Sequence, residues 1–437
     1  MHVDKLIHAS WIIPLNDDTQ PVLHKHALAI QDGKIAAILP SAEAREQINA
    51  NNIYELDEHV LLPGLINSHT HAAMNLFRGL ADDLPLMDWL NNHIWPAEVQ
   101  WVGEEFVHDG SQHAIAEMIR SGTTCFNDMY FFPDITADVA SKSGMRANVG
   151  LIVIDFPSAW AKDAMEYFSK GEKVHDKYRH NSLITTAFAP HAPYTVSDEA
   201  LQKVSTLAEE LDIPIHMHIH ETAFEVSESE KQHGVRPLAR LEKLGLLSSR
   251  MLAVHMTQLN DEEITQCAKL GVNVVHCAES NLKLASGFCP VNKLIQAETN
   301  ICIGTDSSAS NNDLDMFSEM RTAAQLAKAV SNNATTLSAL ETLKAATINP
   351  AKALGLSDTI GSLIKGKAAD VIAIDLNRIE TQPVYDPVSQ LVYATGREQV
   401  NYVWVAGKCL LEKRKLTTID SIPLMEKVSE WRDKIIN

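Results

Sequence analysis

Two histidines separated by a single residue, in the segment His69-Thr70-His71, follow an apolar run of the sequence. Residues two apart on a β-strand point to the same side, so both imidazoles would face one way and form half of a zinc site. Short His-x-His segments also arise by chance. The other half is supplied by His218, at the end of IPIHMH, and by Asp306, at the end of ICIGTD. Together these four side chains predict one catalytic metal.

The predicted ligand set of three histidines and one carboxylate leaves a coordination position open for water. Nitrogen and oxygen ligands without thiolate suit Zn²⁺, one ion per subunit, and Fe²⁺ and Mn²⁺ accept the same ligands. Such a metal lowers the pKa of a bound water to about 7 and so provides a nucleophile at neutral pH. Taken singly, Asp306 has a plainer interpretation, because an aspartate after an apolar run is commonly a helix cap or turn former.

Hydrolytic removal of an amine also needs a proton carrier, because an amine leaves only when it is protonated. Glu221, three residues beyond His218, is the candidate for this acid/base role. An offset of three is odd for a strand, so the chain must bend at or after His218. Alternatively, Glu221 lies in the first turn of a helix that begins ETAFEVSE. His255, at the end of MLAVH, could orient the water or polarise the leaving group, or be a hydrogen-bonded core histidine, and Asp306 could also accept a proton.

Five further polar residues lie at strand ends or beside the predicted ligands: Asp128, His191, His216, His220 and His276. His191, in APHAPY, is placed for the substrate rather than for the metal. Asp128, in FNDMY, is a candidate hydrogen-bond partner of a ligand histidine or a structural carboxylate. We expect His216 and His220 to pack around the ligands, although their alternation along the strand admits them as competing ligands. His276 has no assigned role.

Short apolar runs alternate with helix-period segments from about residue 60 to about residue 355. Eight strands alternating with helices are typical of a TIM (β/α)8 barrel, and nearly continuous apolar strands fit a buried parallel sheet. A TIM barrel has its active site at the C-terminal ends of its strands, where the polar residues above lie. No lysine ends the third or fourth run, so a carboxylated lysine bridging a second metal is not expected. The eight runs are 61–71, 122–130, 145–154, 183–194, 213–221, 251–259, 271–280 and 300–308.

The two ends of the chain have a different pattern. HALAIQDGKIAAI contains Asp32-Gly33, a strong hairpin signal between two apolar stretches. The tail has a strand-like run over 369–374 and a turn at Ala406-Gly407. Both termini therefore predict small antiparallel β structure outside the barrel.

The composition limits the classes of partner. Asp and Glu outnumber Lys and Arg by 56 to 37, which gives a formal net charge of −19. A field of that sign argues against nucleic acid and anionic membranes. The absence of a long apolar run and of a signal-peptide pattern predicts a cytoplasmic location. The six cysteines are scattered without a CxxC pair and are expected to be buried free thiols. The composition leaves a homo-oligomer open.

Several long motifs resemble those of the amidohydrolase superfamily, and within it the branch of 5′-methylthioadenosine/S-adenosylhomocysteine deaminases and related chlorohydrolases. The similarity covers nearly the whole chain, and it is more specific for the superfamily than for the substrate. The motifs are PGLINSHTHAAMNLFRGLADDLPLMDWL (63–90), HIHE (218–221), VHMTQL (254–259), SNLKLASG (280–287), GTDSSASNNDLDMFSEMR (304–321), GSLIKGKAADVIAID (361–375) and VWVAGK (403–408).

The resemblance implies a TIM barrel over residues 59–359, flanked by a small β-sandwich that residues 1–58 and 360–437 assemble together. It implies a hydrolase that converts the 6-amino group of 5′-methylthioadenosine, S-adenosylhomocysteine or adenosine to a carbonyl. The products are the inosine analogue and ammonia. The expected partner is therefore a small nucleoside.

The same resemblance assigns roles within the site. The four predicted ligands hold the metal, Glu221 is the proton shuttle, and His255 lies next to the water. Glu98, in WPAEVQW, binds the ribose hydroxyls, Trp89 lines the pocket, and His191 contacts the nucleoside. Glu221 and the ligand aspartate also contact the substrate.

The chain departs from the family pattern at two places. The segment 276–279, His-Cys-Ala-Glu, stands where His-Asn-Pro is frequent, and Ser307-Ser308 stands where Gly-Ala is common. Some relatives hold the amino-acid end of S-adenosylhomocysteine with arginines, and Arg146 is the candidate here. These departures weaken the prediction for that larger substrate more than for 5′-methylthioadenosine or adenosine.

Two other functions are compatible with parts of the pattern. The same metal could act on guanine, a pterin or a chlorinated triazine, but a ribose-binding carboxylate such as Glu98 has no role with a bare ring. A barrel that has lost its metal and serves as a scaffold would lack ligands, and none of the four is missing.

Overall fold

The alternating pattern of the sequence forms two eight-stranded sheets in the computed structural model, which describes residues 1–16 and 21–436. The strands are β1 (His2–Ile12), β2 (Leu23–Gln31), β3 (Lys34–Pro40), β4 (Asn49–Pro63), β5 (Leu65–Thr70), β6 (Thr123–Asp128), β7 (Arg146–Val153), β8 (Ile184–Pro190), β9 (Ile215–Ile219), β10 (Met251–His255), β11 (Asn273–His276), β12 (Ile301–Ile303), β13 (Val371–Asp375), β14 (Val400–Val405), β15 (Lys408–Glu412) and β16 (Lys415–Leu416).

Helices follow most of the central strands. The α-helices are α1 (Ser41–Gln47), α2 (Leu86–Trp89), α3 (Trp95–Trp101), α4 (Glu104–Arg120), α5 (Pro133–Ser143), α6 (Ala164–Tyr178), α7 (Asp198–Leu211), α8 (Ala223–His233), α9 (Pro237–Lys243), α10 (Asp261–Leu270), α11 (Ala278–Lys283), α12 (Val291–Gln296), α13 (Met316–Ser331), α14 (Ala339–Ala345), α15 (Ile348–Ala353), α16 (Pro387–Tyr393) and α17 (Ser421–Ile436). Short 3₁₀ turns cover Ala72–Phe77, Ile379–Thr381 and Arg397–Gln399, and a π-helical turn, Leu90–Ile94, joins α2 to α3.

Strands β5 to β12 pair in chain order, each parallel to the next. The last strand returns to the first, where the Asp306 amide donates to the His69 carbonyl at 2.9 Å. A Cβ at Gly304 would lie 2.7 Å from the His69 nitrogen, so this close approach requires glycine. The sheet thereby forms the predicted TIM barrel, with the C-terminal ends of the strands at one rim.

The second sheet is built from both termini, as the resemblance implies, in the order β16-β15-β14-β13-β4-β1-β2-β3. The predicted turns at Asp32-Gly33 and Ala406-Gly407 join β2 to β3 and β14 to β15. The sheet is mixed rather than wholly antiparallel, because β1 and β4 pair in parallel. Strand β4 continues to Pro63, so the predicted boundary after residue 58 falls inside a strand, and the domain limits stay a prediction.

The chain ends in a helix that the sequence pattern did not predict. α17 packs on α4 of the barrel: the Trp431 indole N–H donates to Asp109 at 2.9 Å, and its ring meets Phe106 edge-on at 5.2 Å. Both contacts join segments more than 300 residues apart, which explains why local patterning did not reveal them.

The cysteines agree with the prediction of free thiols. All six cysteines are free thiols, and five of them are buried. In residues 1–16 and 21–436, no helix combines the length and apolar character needed to cross a membrane.

A buried ion pair fastens the terminal sheet to the barrel. The Arg146 guanidinium donates to both carboxylate oxygens of Asp370, at 2.8 and 3.2 Å, and to the Ser182 carbonyl at 2.8 Å. The same carboxylate accepts the Ala406 amide at 2.7 Å. Arg146 begins β7, at the end of the strand opposite the catalytic rim. It therefore cannot hold the amino-acid end of a substrate, and the candidate role that the resemblance suggested for it is wrong.

We expect Asp370→Asn to lower the free energy of unfolding by about 3 kcal/mol, because it leaves the Arg146 charge buried without its counter-ion. Urea unfolding measures this value. The double variant Arg146→Met/Asp370→Leu removes both charges and should be less destabilised than the single one. A single variant as stable as the unaltered protein would show that the pair contributes nothing to the joint.

Candidate active site

The four predicted metal ligands come together at the C-terminal rim of the barrel. One ligand atom from each of His69, His71, His218 and Asp306 lies within 4.8 Å of all the others. His218 Nε2 is 3.2 Å from His69 Nε2 and 3.3 Å from His71 Nε2. Asp306 Oδ1 is 3.1 and 3.3 Å from the same two nitrogens. Ligands about 2.1 Å from a tetrahedral Zn²⁺ are about 3.4 Å apart, so these spacings fit a divalent cation.

The protonation pattern of the rings also fits a cation. His71 Nδ1 contacts the Met129 carbonyl at 2.5 Å, and His218 Nδ1 contacts the His191 carbonyl at 2.7 Å. A carbonyl only accepts, so each Nδ1 carries a hydrogen, and a neutral ring then directs its Nε2 lone pair at the cluster. The Asp306 carboxylate raises the pKa of His71 in spite of its burial. Burial lowers the pKa of His69 to about 4 and holds that of His218 well below its usual value. Converging lone pairs repel each other unless a cation lies among them.

Asp128 and His216 contact the His69-Thr70-His71 segment and fix its position. The Asp128 carboxylate accepts from the Thr70 hydroxyl at 3.0 Å and from the Ala72 amide at 2.7 Å. His69 Nδ1 lies 2.8 Å from Nε2 of His216, one layer deeper in the barrel. Asp128 is therefore a structural carboxylate at this segment, one of the two interpretations of its position, and His216 packs beneath a ligand as expected.

Asp306 is oriented by hydroxyl groups that the sequence did not single out. Its Oδ2 accepts from Ser280 at 2.6 Å and from Ser310 at 3.0 Å, which leaves Oδ1 directed at the histidines. The backbone of Asp306 has a φ of +64°, which is a strained conformation for any residue other than glycine. Both serines lie in motifs that resemble the family, SNLKLASG and GTDSSASNN, and those motifs were the available signal.

The predicted bend after His218 lies at His220, whose φ is +55°. The Glu225 carboxylate accepts the amides of His220, at 2.9 Å, and of Glu221, at 2.8 Å. Helix α8 begins only after Thr222, so Glu221 precedes the helix instead of lying in its first turn. Glu225 was not singled out, although the Thr-x-x-Glu spacing of a helix start marked it.

Glu221 and His255 face each other beside the cluster. Glu221 Oε2 is 3.8 Å from His255 Nε2, and burial raises the pKa of Glu221. His255 Nδ1 contacts Asn281 Oδ1 at 2.8 Å, and its ring stacks on that of His218 at 5.5 Å. An amide oxygen only accepts, so Asn281 keeps the hydrogen on Nδ1 and leaves the Nε2 of a neutral His255 towards Glu221.

One cavity of about 840 Å³, its open mouth included, connects these groups. Glu98 accepts the Tyr130 hydroxyl at 2.7 Å, and burial raises the pKa of Glu98 to about 7. The predicted site residues along the cavity wall are His71, Trp89, Glu98, His191, His218, Glu221, His255 and Asp306, while His69 is fully buried beneath it. The site is thus a mostly apolar chamber that contains the four-ligand cluster and a separate buried carboxylate.

Two remaining histidines do not reach the cavity wall. The ring of His220 accepts the Leu238 amide at 3.2 Å, so this residue packs at the bend. His276 is buried, and burial lowers its pKa to about 4. Neither belongs to the group of ligand atoms, which leaves the four predicted side chains as the group that could hold a cation.

A barrel with such a cluster at its C-terminal rim defines a metal-dependent hydrolase scaffold, and the chain belongs to the amidohydrolase family, which its residues 60–410 match. The 5-methylthioadenosine/S-adenosylhomocysteine deaminase of Saccharophagus degradans is 50% identical over 99% of this chain and 97% of its own length. The protein of that description from Teredinibacter turnerae is 47% identical over 99% of this chain and 98% of its own.

A solved structure is similar over the whole chain. It is an adenosine deaminase from Xanthomonas campestris with bound zinc, 54% identical, with a TM-score of 0.98 over 100% of this chain and 99% of that one. The family that the sequence motifs predict is therefore confirmed.

Proposed function

We propose that this protein is a zinc-dependent deaminase that hydrolyses the 6-amino group of adenine nucleosides, namely adenosine and its 5′-substituted derivatives. The products are ammonia and the inosine analogue. The observation that carries the proposal is one cavity that holds both the four-ligand cluster and the buried carboxylate of Glu98. The relatives named above, called deaminases of such compounds, support it.

In this proposal His69, His71, His218 and Asp306 hold one Zn²⁺. The ion, when bound, lowers the pKa of a water to about 7. Glu221 would take a proton from the attacking water and deliver it to the departing amine, a role for which its raised pKa suits it. His255, held by Asn281, would orient the water beside Glu221.

The remaining contacts position the nucleoside. Glu98 accepts hydrogen bonds from the ribose hydroxyls, His191 contacts the nucleoside, and Trp89 closes the pocket around it. The substrate is a small molecule, and the acidic surface disfavours nucleic acid. We further propose a cytoplasmic location and a role in purine salvage. A homo-oligomer is compatible with this proposal.

Ammonia release from a panel of purines tests the function. Adenosine and 5′-methylthioadenosine should react, adenine and guanine should not, and zinc measured on the same sample should approach one ion per subunit. Turnover of guanine with no turnover of any nucleoside would contradict the proposal. The same assay repeated with a chelator distinguishes metal-dependent turnover from a contaminating activity that needs no metal.

We expect Glu98→Ala to raise KM for adenosine about 10-fold to 100-fold, because each hydrogen bond to a charged group contributes about 1.5–3 kcal/mol. The exposed Glu104 provides the matched control, since Glu104→Ala should leave KM unchanged. An unaltered KM in Glu98→Ala would remove the ribose contact from the proposal.

The same carboxylate predicts a pH dependence. With its pKa raised to about 7, Glu98 becomes neutral as the pH falls below that value and then accepts weaker hydrogen bonds. The KM of the unaltered enzyme should therefore rise between pH 7 and pH 6, and that of Glu98→Gln should be high and flat. If the KM of the unaltered enzyme and that of Glu98→Gln change with pH in the same way, this assignment is wrong.

A further inference from the structure

The cavity wall has an unusual charge pattern for a site that would receive a zwitterionic substrate. Among the described residues that form the wall, three are carboxylates, Glu98, Glu221 and Asp306, and none is a lysine or an arginine. The other residues of the wall are mainly apolar and aromatic. A carboxylate at the 5′ end of a nucleoside would therefore find no side-chain cation in this wall.

The lysine next to the wall is already engaged. Lys283 precedes Leu284, which lines the cavity. Its ammonium group donates to Asp82 Oδ1 at 2.6 Å and also to Asn312 Oδ1. The side chain is turned towards the segment that carries Asp82, and a substrate carboxylate would have to displace both partners.

A nearby arginine is engaged in the same way. Arg240 donates to Asp198 Oδ1 at 2.7 Å and to the Val196 carbonyl at 3.0 Å, and it also donates to the carbonyl of Pro193, the residue before Tyr194 of the cavity wall. Its guanidinium is buried in these contacts. It holds the loop after β8 and is not among the residues that line the chamber.

The hollow beside the chamber is likewise lined by no lysine or arginine among the described residues. It shares Leu86, Tyr194 and Glu221 with the chamber and continues to Glu225, whose pKa burial raises to about 8, and to Glu228, which is paired with Lys231. The whole chain carries a formal net charge of −19. The field at the mouth therefore opposes a carboxylate that approaches from solvent.

The walls near Glu98 suit an apolar group instead. Ile94 and Trp95 lie on the same helical run as Glu98, and Phe131 and Phe156 also line the cavity. Aromatic rings make favourable contacts with thioether sulfur. A short alkylthio group on a ribose held by Glu98 would meet these side chains without loss of hydration of a charged group.

Building on the proposed function, we infer that this enzyme selects nucleosides whose 5′ group is uncharged and apolar, and that it discriminates against a 5′ group bearing a carboxylate. 5′-Methylthioadenosine satisfies this requirement. S-adenosylhomocysteine, whose homocysteine end carries a carboxylate, does not. Two observations account for this selection. The described residues of the wall include no lysine or arginine, and the nearby Lys283 and Arg240 already bind partners within the protein.

A charge series on one scaffold tests the inference. The probes are 5′-butylthioadenosine, 5′-(3-aminopropylthio)adenosine and 5′-(3-carboxypropylthio)adenosine, which hold the length of the 5′ chain nearly constant while its charge changes. S-adenosylhomocysteine and 5′-methylthioadenosine complete the panel. The measurement is kcat/KM for ammonia release by the metal-loaded enzyme, with every compound at the same pH and ionic strength.

We expect the neutral butylthio compound to react at least about 100-fold more efficiently than the carboxypropylthio compound, because the carboxylate would lie unpartnered in a mostly apolar chamber. A ratio below about tenfold would overturn the inference, whereas 5′-methylthioadenosine would still react and the proposed function would stand. If no compound of the panel reacts, including 5′-methylthioadenosine and adenosine, the proposed function itself fails. The butylthio compound also separates the effect of charge from that of size. If its kcat/KM is as low as that of the carboxypropylthio compound, the length of the 5′ chain and not its charge causes the loss, and the inference is overturned.

Discussion

Replacing Glu221 with glutamine is expected to lower kcat by about 10²-fold to 10⁴-fold, the usual contribution of a positioned acid or base. The carboxylate lies 3.8 Å from His255 Nε2 and lines the chamber, and glutamine keeps its size while removing its proton affinity. Because Glu221 is outside the ligand set, the variant should still bind metal. Steady-state ammonia release and metal analysis on one sample measure both quantities.

The exposed Glu230 supplies the control for that experiment, because Glu230→Gln changes the same functional group on the following helix without reaching the cavity. Its kcat should equal that of the unaltered enzyme. If Glu221→Gln keeps most of its activity, another group must carry the proton. If it loses its metal, Glu221 supports the cation site instead of the chemistry.

Removing one imidazole from the cluster should have the second large effect. We expect His218→Ala to weaken zinc binding by more than about 100-fold, beyond the 10-fold to 100-fold cost of changing an outer contact. Metal at 1,000 times its Kd stabilises a folded protein by about 4 kcal/mol. Added Zn²⁺ at that concentration should therefore raise the Tm of the unaltered protein after a chelator has removed its metal. In His218→Ala, with binding more than about 100-fold weaker, the same Zn²⁺ should contribute about 1.4 kcal/mol or less, so the rise in Tm should fall to about a third or less.

His180 provides the comparison for the histidine experiment, since its side chain is exposed and far along the chain from the cluster. His180→Ala should keep the full zinc-dependent shift in Tm. A full shift in His218→Ala would mean that the cation binds elsewhere. Calorimetry with and without metal gives this answer independently of any substrate.

Three residues at the rim share an uncommon backbone conformation. His220, His255 and Asp306 have φ values of +55°, +75° and +64°. Each conformation costs free energy, so the surrounding contacts must stabilise it. The amide of His220 donates to a buried carboxylate, the ring of His255 contacts an amide, and two hydroxyls donate to Asp306. These turns lie where strands end, and they help to direct the side chains of Glu221, His255 and Asp306 into the chamber.

The sequence by itself was sufficient to predict the barrel and the group of four ligands. The two-residue period of a strand places His69 and His71 on one side, and the parallel order of apolar runs brings His218 and Asp306 to the same rim. These are consequences of short-range geometry and of one topological rule. The family motifs then associated Glu98 and Trp89 with the same cavity, and the structure places both in its wall.

The tertiary structure alone decided which partners orient these groups. Asn281 contacts His255 across 26 residues, and Arg146 is matched with Asp370 across 224. Such pairs depend on the register between strands and on how loops pack over the rim, and no local period encodes either. For the same reason the sequence offered Arg146 as a substrate contact, whereas packing buried it at the far end of its strand. The charge of the cavity wall likewise became evident only when residues from many loops met around one chamber.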